Sequence, residues 1–182
     1  MRRLFIAFIL TTIAVTASAQ HHGPGGHHSD GPAGASPYAD FATRSIKALS
    51  QQQVDDLLAG RGTGLALAAE LNSYAGPMHV LELRQALGLT AAQSARMEAL
   101  MADMRAAAVM AGERAVAAER ALDQIFATGK ATEDGVRQAV LAAAEAHGHT
   151  RLIHLATHIK VRAELSTAQT AAYERLRGYR AP

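Results

Sequence analysis

Hydrophobic residues recur at helical spacing over two long stretches of this chain. Between Ala91 and Thr128, Met97, Leu100, Met101, Met104, Val109, Val116, Leu122 and Ile125 fall on or near one broad face. Apolar positions returning every three or four residues predict an amphipathic helix, here about 55 Å long at a helical rise of roughly 1.5 Å per residue. Gly129-Lys130 predicts a turn, and Thr132 stands where it can cap a second helix over 133–164. The apolar set of that helix is Val136, Val140, Leu141, Leu152, Leu155 and Ile159, and Gly148 inside it predicts a weak point or kink. A last helix is expected over 167–176. The fold class that follows is all-α: a long antiparallel helical hairpin with shorter flanking helices.

The flanking helices come first in the chain, over 37–76. An amphipathic segment starts at Tyr38 and runs through Ile46 and Leu49, and a second, Gln51 to Leu58, ends at Gly60. A third, Leu65 to Tyr74, is stopped by Gly76-Pro77. Pro77 suits a first helical position and opens a stretch from Met78 to Leu87 that stops at Gly88. These lead into the hairpin domain, 77–182.

Two tails differ from this pattern. Over 1–19, Arg2-Arg3, an apolar run from Leu4 to Val15 and Ala17-Ser18-Ala19 have the layout of a cleavable secretory signal peptide. The run is too short to span a bilayer, which takes roughly 20 residues. The chain is therefore expected to be exported to the periplasm of a Gram-negative cell. Over 20–36 the chain is Gly, Pro, His and Ser with little to bury, and is expected to be disordered.

Composition agrees with helices. Aromatics are 4% and there is no Trp, while alanine, a strong helix former, is abundant throughout. With Arg2 and Arg3 removed, the 18 Lys+Arg become 16, equal to the 16 Asp+Glu. A neutral chain has no electrostatic footprint for nucleic acid, and that class is excluded. The absence of cysteine leaves stability to packing and any metal site to His, Met and carboxylates. Alanine-lined helices bury little area, so a single hairpin would leave an apolar face in water, and a homodimer is expected.

One motif recurs. Leu49-Ser50-Gln51-Gln52-Gln53, Leu89-Thr90-Ala91-Ala92-Gln93 and Leu165-Ser166-Thr167-Ala168-Gln169 each read Leu-[Ser/Thr]-x-x-Gln. This is the pattern of a capping box, in which the hydroxyl accepts from the N3 backbone N–H while the N3 side chain reaches back to the cap. The capping residues of the hairpin are thus Leu89, Thr90 and Gln93 at one end and Leu165, Ser166 and Gln169 at the other.

The second and third copies resemble the paired LTxxQ motifs of the Spy/CpxP family of periplasmic proteins. The resemblance covers about 77–179, with the two leucines 76 residues apart. It implies a cradle-shaped dimer that holds unfolded envelope proteins without ATP, in a wider group that includes heavy-metal sensors such as ZraP and CnrX. Ser166 stands where the family usually has Thr, and the neutral chain contrasts with the basic cradles of the family. The segment 38–76 has no counterpart there.

Histidines are the candidate ligands. On a continuous helix His154 and His158 lie within about 20° on either side of His147, while His149 faces away. His154 and His158, at i and i+4, are near enough to share an ion. A third ligand would come from Glu113, Glu119, His79 or a methionine. His21, His22, His27 and His28 form a compositional metal-binding tract. Zn, Ni and Cu are the metals such ligands suit, and none is required for the fold. Met97, Met101 and Met104, at i, i+4 and i+7, suit core packing first; exposed, they would form a client-binding surface or bind Cu(I).

The chain carries no nucleophile motif, phosphate loop or metalloprotease signature, so a binding protein is expected rather than an enzyme. The first functional expectation is a periplasmic ATP-independent chaperone of the stress response. The alternative is a heavy-metal binder or sensor, signalling to a membrane sensor kinase or an anti-sigma factor.

Overall fold

A computed structural model describes residues 36–180; the expected signal peptide and residues 20–35 of the tract, with its four histidines, lie outside the described residues. Over 37–180 the chain is all-helical. After a 3₁₀ turn at Ala39–Thr43 come α1 (Gln51–Leu58), α2 (Leu67–Glu70), α3 (Pro77–Glu82), α4 (Ala91–Ala127), α5 (Glu133–Glu164) and α6 (Thr167–Leu176). Among the described residues no helix is long and apolar enough to cross a membrane.

All three capping boxes form. Ser50, Thr90 and Ser166 each accept from the N3 backbone N–H, and Gln53, Gln93 and Gln169 each accept from the cap N–H. Thr132 caps α5 through Gly135 N at 3.1 Å. Between α4 and α5, Gly129 takes φ +66°, which lets Lys130 N reach Ile125 O at 3.2 Å and Gly129 N reach Phe126 O at 3.0 Å. Those two bonds satisfy carbonyls that the end of α4 would otherwise leave open.

The hairpin is antiparallel, with its register marked by Arg96–Glu164 at 3.1 Å and Glu119–His147 at 2.8 Å. At its open end Gln93 and Gln169 donate to one another, at 3.0 and 3.1 Å. Gln93 also donates to Glu164 O at 2.9 Å. The two motif glutamines therefore cap their own helices and tie α4 to α6.

Two apolar clusters hold the rest. Val80, Leu87, Met97, Leu100, Val161, Leu165 and Tyr173 close the open end. Ile46, Leu49, Val54 and Val116 pack α1 and the segment before it against the middle of α4. There α1 crosses at Gly112, where a Cβ would lie 2.0 Å from Leu57 O.

The structure departs from the sequence reading in four places. Helix α5 runs unbroken through Gly148, because glycine lowers helix propensity but keeps its backbone N–H for the helical ladder. The segment expected as a helix over 65–74 is helical only at Leu67–Glu70, and that over 78–87 only at Pro77–Glu82.

The fourth departure is the inner face of α5. It buries Ala143, Thr150, His154, Thr157, His158 and Val161, while Leu141, Leu152 and Ile159 stay about 60% exposed. The facing part of α4 is a seam of buried Ala108, Ala111 and Ala115. Short side chains let the helices come close, and Thr150 and Thr157 satisfy their hydroxyls on the carbonyls of Ala146 and Ile153. The inside of α5 thus takes small residues where it meets the alanine seam and two histidines where Gly62 and Gly76 lie against it, while the large aliphatics turn outward.

Candidate functional site

A cavity of about 500 Å³ is bounded by the loop Gly60–Gly64, the turn at Gly76-Pro77 and parts of α4 and α5. Its walls include His79, His154 and His158, the methionines Met78, Met101 and Met104, and Glu70. Of the donors expected from sequence, His79, Met101 and Met104 therefore line the same cavity as the His154/His158 pair. Glu113 and Glu119 are not among the lining residues; Glu119 is engaged by His147. His149 lines a separate outer groove with Arg114, Glu145 and Leu152.

Met97 corrects the expectation of a three-methionine client surface. It is wholly buried between Leu100 and Val161 in the open-end core and has no surface to offer. Met101 and Met104 are half-buried and face the cavity instead.

His158 is oriented. Its Nδ1 lies 2.6 Å from the carbonyl of Tyr74, and a carbonyl only accepts, so Nδ1 carries the proton and donates it. In the neutral ring this leaves the lone pair on Nε2. A backbone carbonyl holding one ring nitrogen is the usual way in which a histidine is aligned to ligate through the other.

His154 is 3% exposed, and its Nε2 is buried with no hydrogen-bond partner. An orphaned buried polar atom costs about 1–3 kcal/mol, so its retention calls for a reason. Burial holds the imidazole below its ordinary pKa, with the neighbouring His158 adding to the effect.

Glycines make the cavity possible. A Cβ on Gly62 would lie 3.0 Å from His154 Nδ1, and one on Gly76 would lie 3.0 Å from His158 Cε1 and 3.1 Å from its Nε2. The backbone thus rests directly on both rings, and larger residues would fill the space beside them.

Glu70, which sequence reasoning missed, anchors the turn at Gly76. Its carboxylate accepts from the hydroxyl of Tyr173, from Tyr179 Oη at 3.1 Å and from Gly76 N at 3.0 Å. His79 Nδ1 stands 3.5 Å and His158 Nδ1 3.7 Å from it. Burial, followed by the bond to Glu70, pushes the Tyr173 hydroxyl far above its ordinary pKa, so it stays a donor. No local signal could have singled out Glu70, because its two tyrosines lie 103 and 109 residues away.

Among the described residues no three His, Asp or Glu side chains are gathered closely enough to hold an ion. Two imidazoles with methionine sulfurs remain as the donor set of the cavity.

His154 also makes stability depend on pH. Its folded pKa is lowered relative to the unfolded value of about 6.5. Its contribution is therefore fully present above that value and is lost as pH falls through the lowered folded one. Urea midpoints are expected to drop between pH 7.5 and pH 5, and the drop should be shallower in His154→Gln. Parallel curves for the two proteins would show that His154 is not the titrating group.

No protein-family model matches the chain, and neither a curated protein nor a solved structure is detectably similar to it.

Proposed function

We propose that this protein is a periplasmic, ATP-independent chaperone of the Spy/CpxP kind, which holds unfolded envelope proteins on an amphipathic helical surface. One observation carries the reading: Leu141, Leu152 and Ile159 lie within about 20° of one another around α5 and are 63%, 59% and 61% exposed. They form a stripe about 27 Å long, and Met110 on α4 adds a further exposed apolar side chain. Large apolar side chains left exposed in line on one helix face are candidates for contact with another chain.

The magnitude suits transient holding. Full burial of one such side chain is worth about 1.5–3 kcal/mol, so covering the exposed parts of three yields about 3–5 kcal/mol. That corresponds to a Kd near the millimolar range before association costs, and useful affinity needs contacts repeated along the client. A homodimer belongs to this reading, because a second hairpin would double the surface.

The test is light scattering of an aggregating client with the purified protein and with Leu152→Glu/Ile159→Glu, alongside sedimentation of both. The expected result is suppression by the parent and most of it lost in the variant, with the sedimentation coefficient unchanged. No suppression by the parent would sink the proposal. A variant that loses self-association instead of suppression would make the stripe a contact between copies.

A second reading is supported by the buried His154/His158 pair beside a methionine-lined cavity: a heavy-metal binder, with a membrane sensor kinase or anti-sigma factor as its partner. His21, His22, His27 and His28 would add metal capacity to it.

A further inference from the structure

The cavity has features that the apolar stripe does not explain. It contains a buried imidazole nitrogen without a partner, a second imidazole pre-oriented by a backbone carbonyl, and two half-buried methionines. At Gly62 and Gly76 the backbone lies directly against the two rings. We propose, building on the metal-binding reading, that this cavity is a site for a soft monovalent cation, Cu(I), held by His154 and His158 together with the thioethers of Met101 and Met104.

Three arguments favour a soft monovalent ion over zinc or nickel. The first is donor type. The pairs Arg96–Glu164 and Glu119–His147 set an antiparallel register that brings Met104 on α4 level with His158 on α5. Met101 lies about one turn nearer the open end, and His154 about one turn nearer the α4–α5 turn. All four line the one cavity. Thioethers are soft ligands that select Cu(I), whereas carboxylate and water suit harder ions.

The second is charge. The four donors are neutral, and the nearby carboxylate of Glu70 is already engaged by two tyrosines and the Gly76 N–H. A divalent ion would bring two buried charges against that single carboxylate, and uncompensated buried charge is costly. A monovalent ion is balanced by it. Among the arginines on the rim, Arg61 is held by Asp56 at 2.6 Å and Arg105 is exposed.

The third is orientation. The proton of His158 sits on Nδ1, given to Tyr74 O, so its Nε2 is the available donor without any rearrangement. For His154 an ion would provide the partner that Nε2 lacks.

The experiment uses the full chain with His21, His22, His27 and His28 replaced by Gln, so that the tail does not compete. Cu(I) is titrated anaerobically against bicinchoninate, and Zn(II) and Ni(II) are titrated in parallel arms. Thermal melting is the second readout. Met101→Leu/Met104→Leu is the decisive variant, because leucine keeps the volume and the fold while removing the sulfurs. The expected result is one Cu(I) per chain and a raised melting temperature. In the methionine variant Cu(I) affinity should fall at least tenfold with weak Zn(II) binding unchanged, and in His154→Gln it should fall as well.

If Zn(II) or Ni(II) binds at one equivalent and is lost in His154→Gln, while the methionine variant binds Cu(I) as the parent does, the assignment to Cu(I) is overturned and the metal-binding reading stands. If the parent binds none of the three ions, both fail together.

Discussion

Glu70→Ala is expected to lower the unfolding free energy by about 3–4 kcal/mol. Glu70 is 7% exposed and Tyr173, its partner from α6, is 1% exposed. Truncation removes the acceptor for the Tyr173 hydroxyl, the Tyr179 hydroxyl and the Gly76 N–H together. Each buried donor left unpaired costs about 1–3 kcal/mol, and water from the adjoining cavity offsets part of the sum. Glu70→Gln keeps the shape and one acceptor and should cost about half as much. Tyr173→Phe removes one donor while the carboxylate keeps its others, a loss of about 1 kcal/mol. Because these groups share one network, Glu70→Gln/Tyr173→Phe should cost less than the sum of its parts. Urea unfolding at constant slope reads all four. A Glu70→Ala variant within about 1 kcal/mol of the parent would mean that this side of the cavity is fastened elsewhere.

What was legible in the sequence is what is local. The three Leu-[Ser/Thr]-x-x-Gln boxes span five residues each, and every hydrogen bond that defines them lies within that span. The turn at Gly129 and the cap at Thr132 are local in the same sense, so the limits of α4 and α5 could be read within a residue. The apolar set of α4 was also legible, since Met97, Leu100 and Val116 are buried as its periodicity implies.

The face of α5 was not legible, and the reason is physical. Hydrophobicity would turn Leu141, Leu152 and Ile159 inward, but the face of α5 that packs inside carries Ala143, Thr150, His154, Thr157, His158 and Val161. Its Ala and Thr lie opposite the alanine seam of α4, and the two histidines lie against the 60–79 segment. The choice between faces was made by these partners, distant in the chain, rather than by polarity. The candidate site divides in the same way. The i, i+4 spacing of His154 and His158 is a sequence signal, whereas Glu70, Gly62 and Gly76 become site residues only once the 60–79 segment folds over α5. The two glycines read as punctuation in the sequence; in the fold they are the points where backbone lies against imidazole.

Two glycines inside the long helices should respond with opposite signs to the same substitution. In a helix interior, glycine is about 1 kcal/mol worse than alanine. At Gly148 an added Cβ meets nothing within 4 Å, so Gly148→Ala should stabilise the protein by about 0.5–1 kcal/mol. At Gly112 the added Cβ would lie 2.0 Å from the carbonyl oxygen of Leu57 and 2.6 Å from its carbon. These are backbone atoms, which cannot rotate aside, so α1 must lift away from α4. That movement loosens Ile46, Leu49 and Val54 from Val116. Overpacking of this kind costs about 1–3 kcal/mol and sometimes more, against the gain of about 1 kcal/mol in helix propensity. Gly112→Ala should therefore be destabilising by about 1–2 kcal/mol, and Gly112→Val, with two further methyls and no propensity gain, by about 3 kcal/mol or more. Thermal unfolding of the three variants decides it. A Gly112→Ala protein that melts above the parent, as Gly148→Ala should, would mean that α1 does not rest on Gly112 in solution.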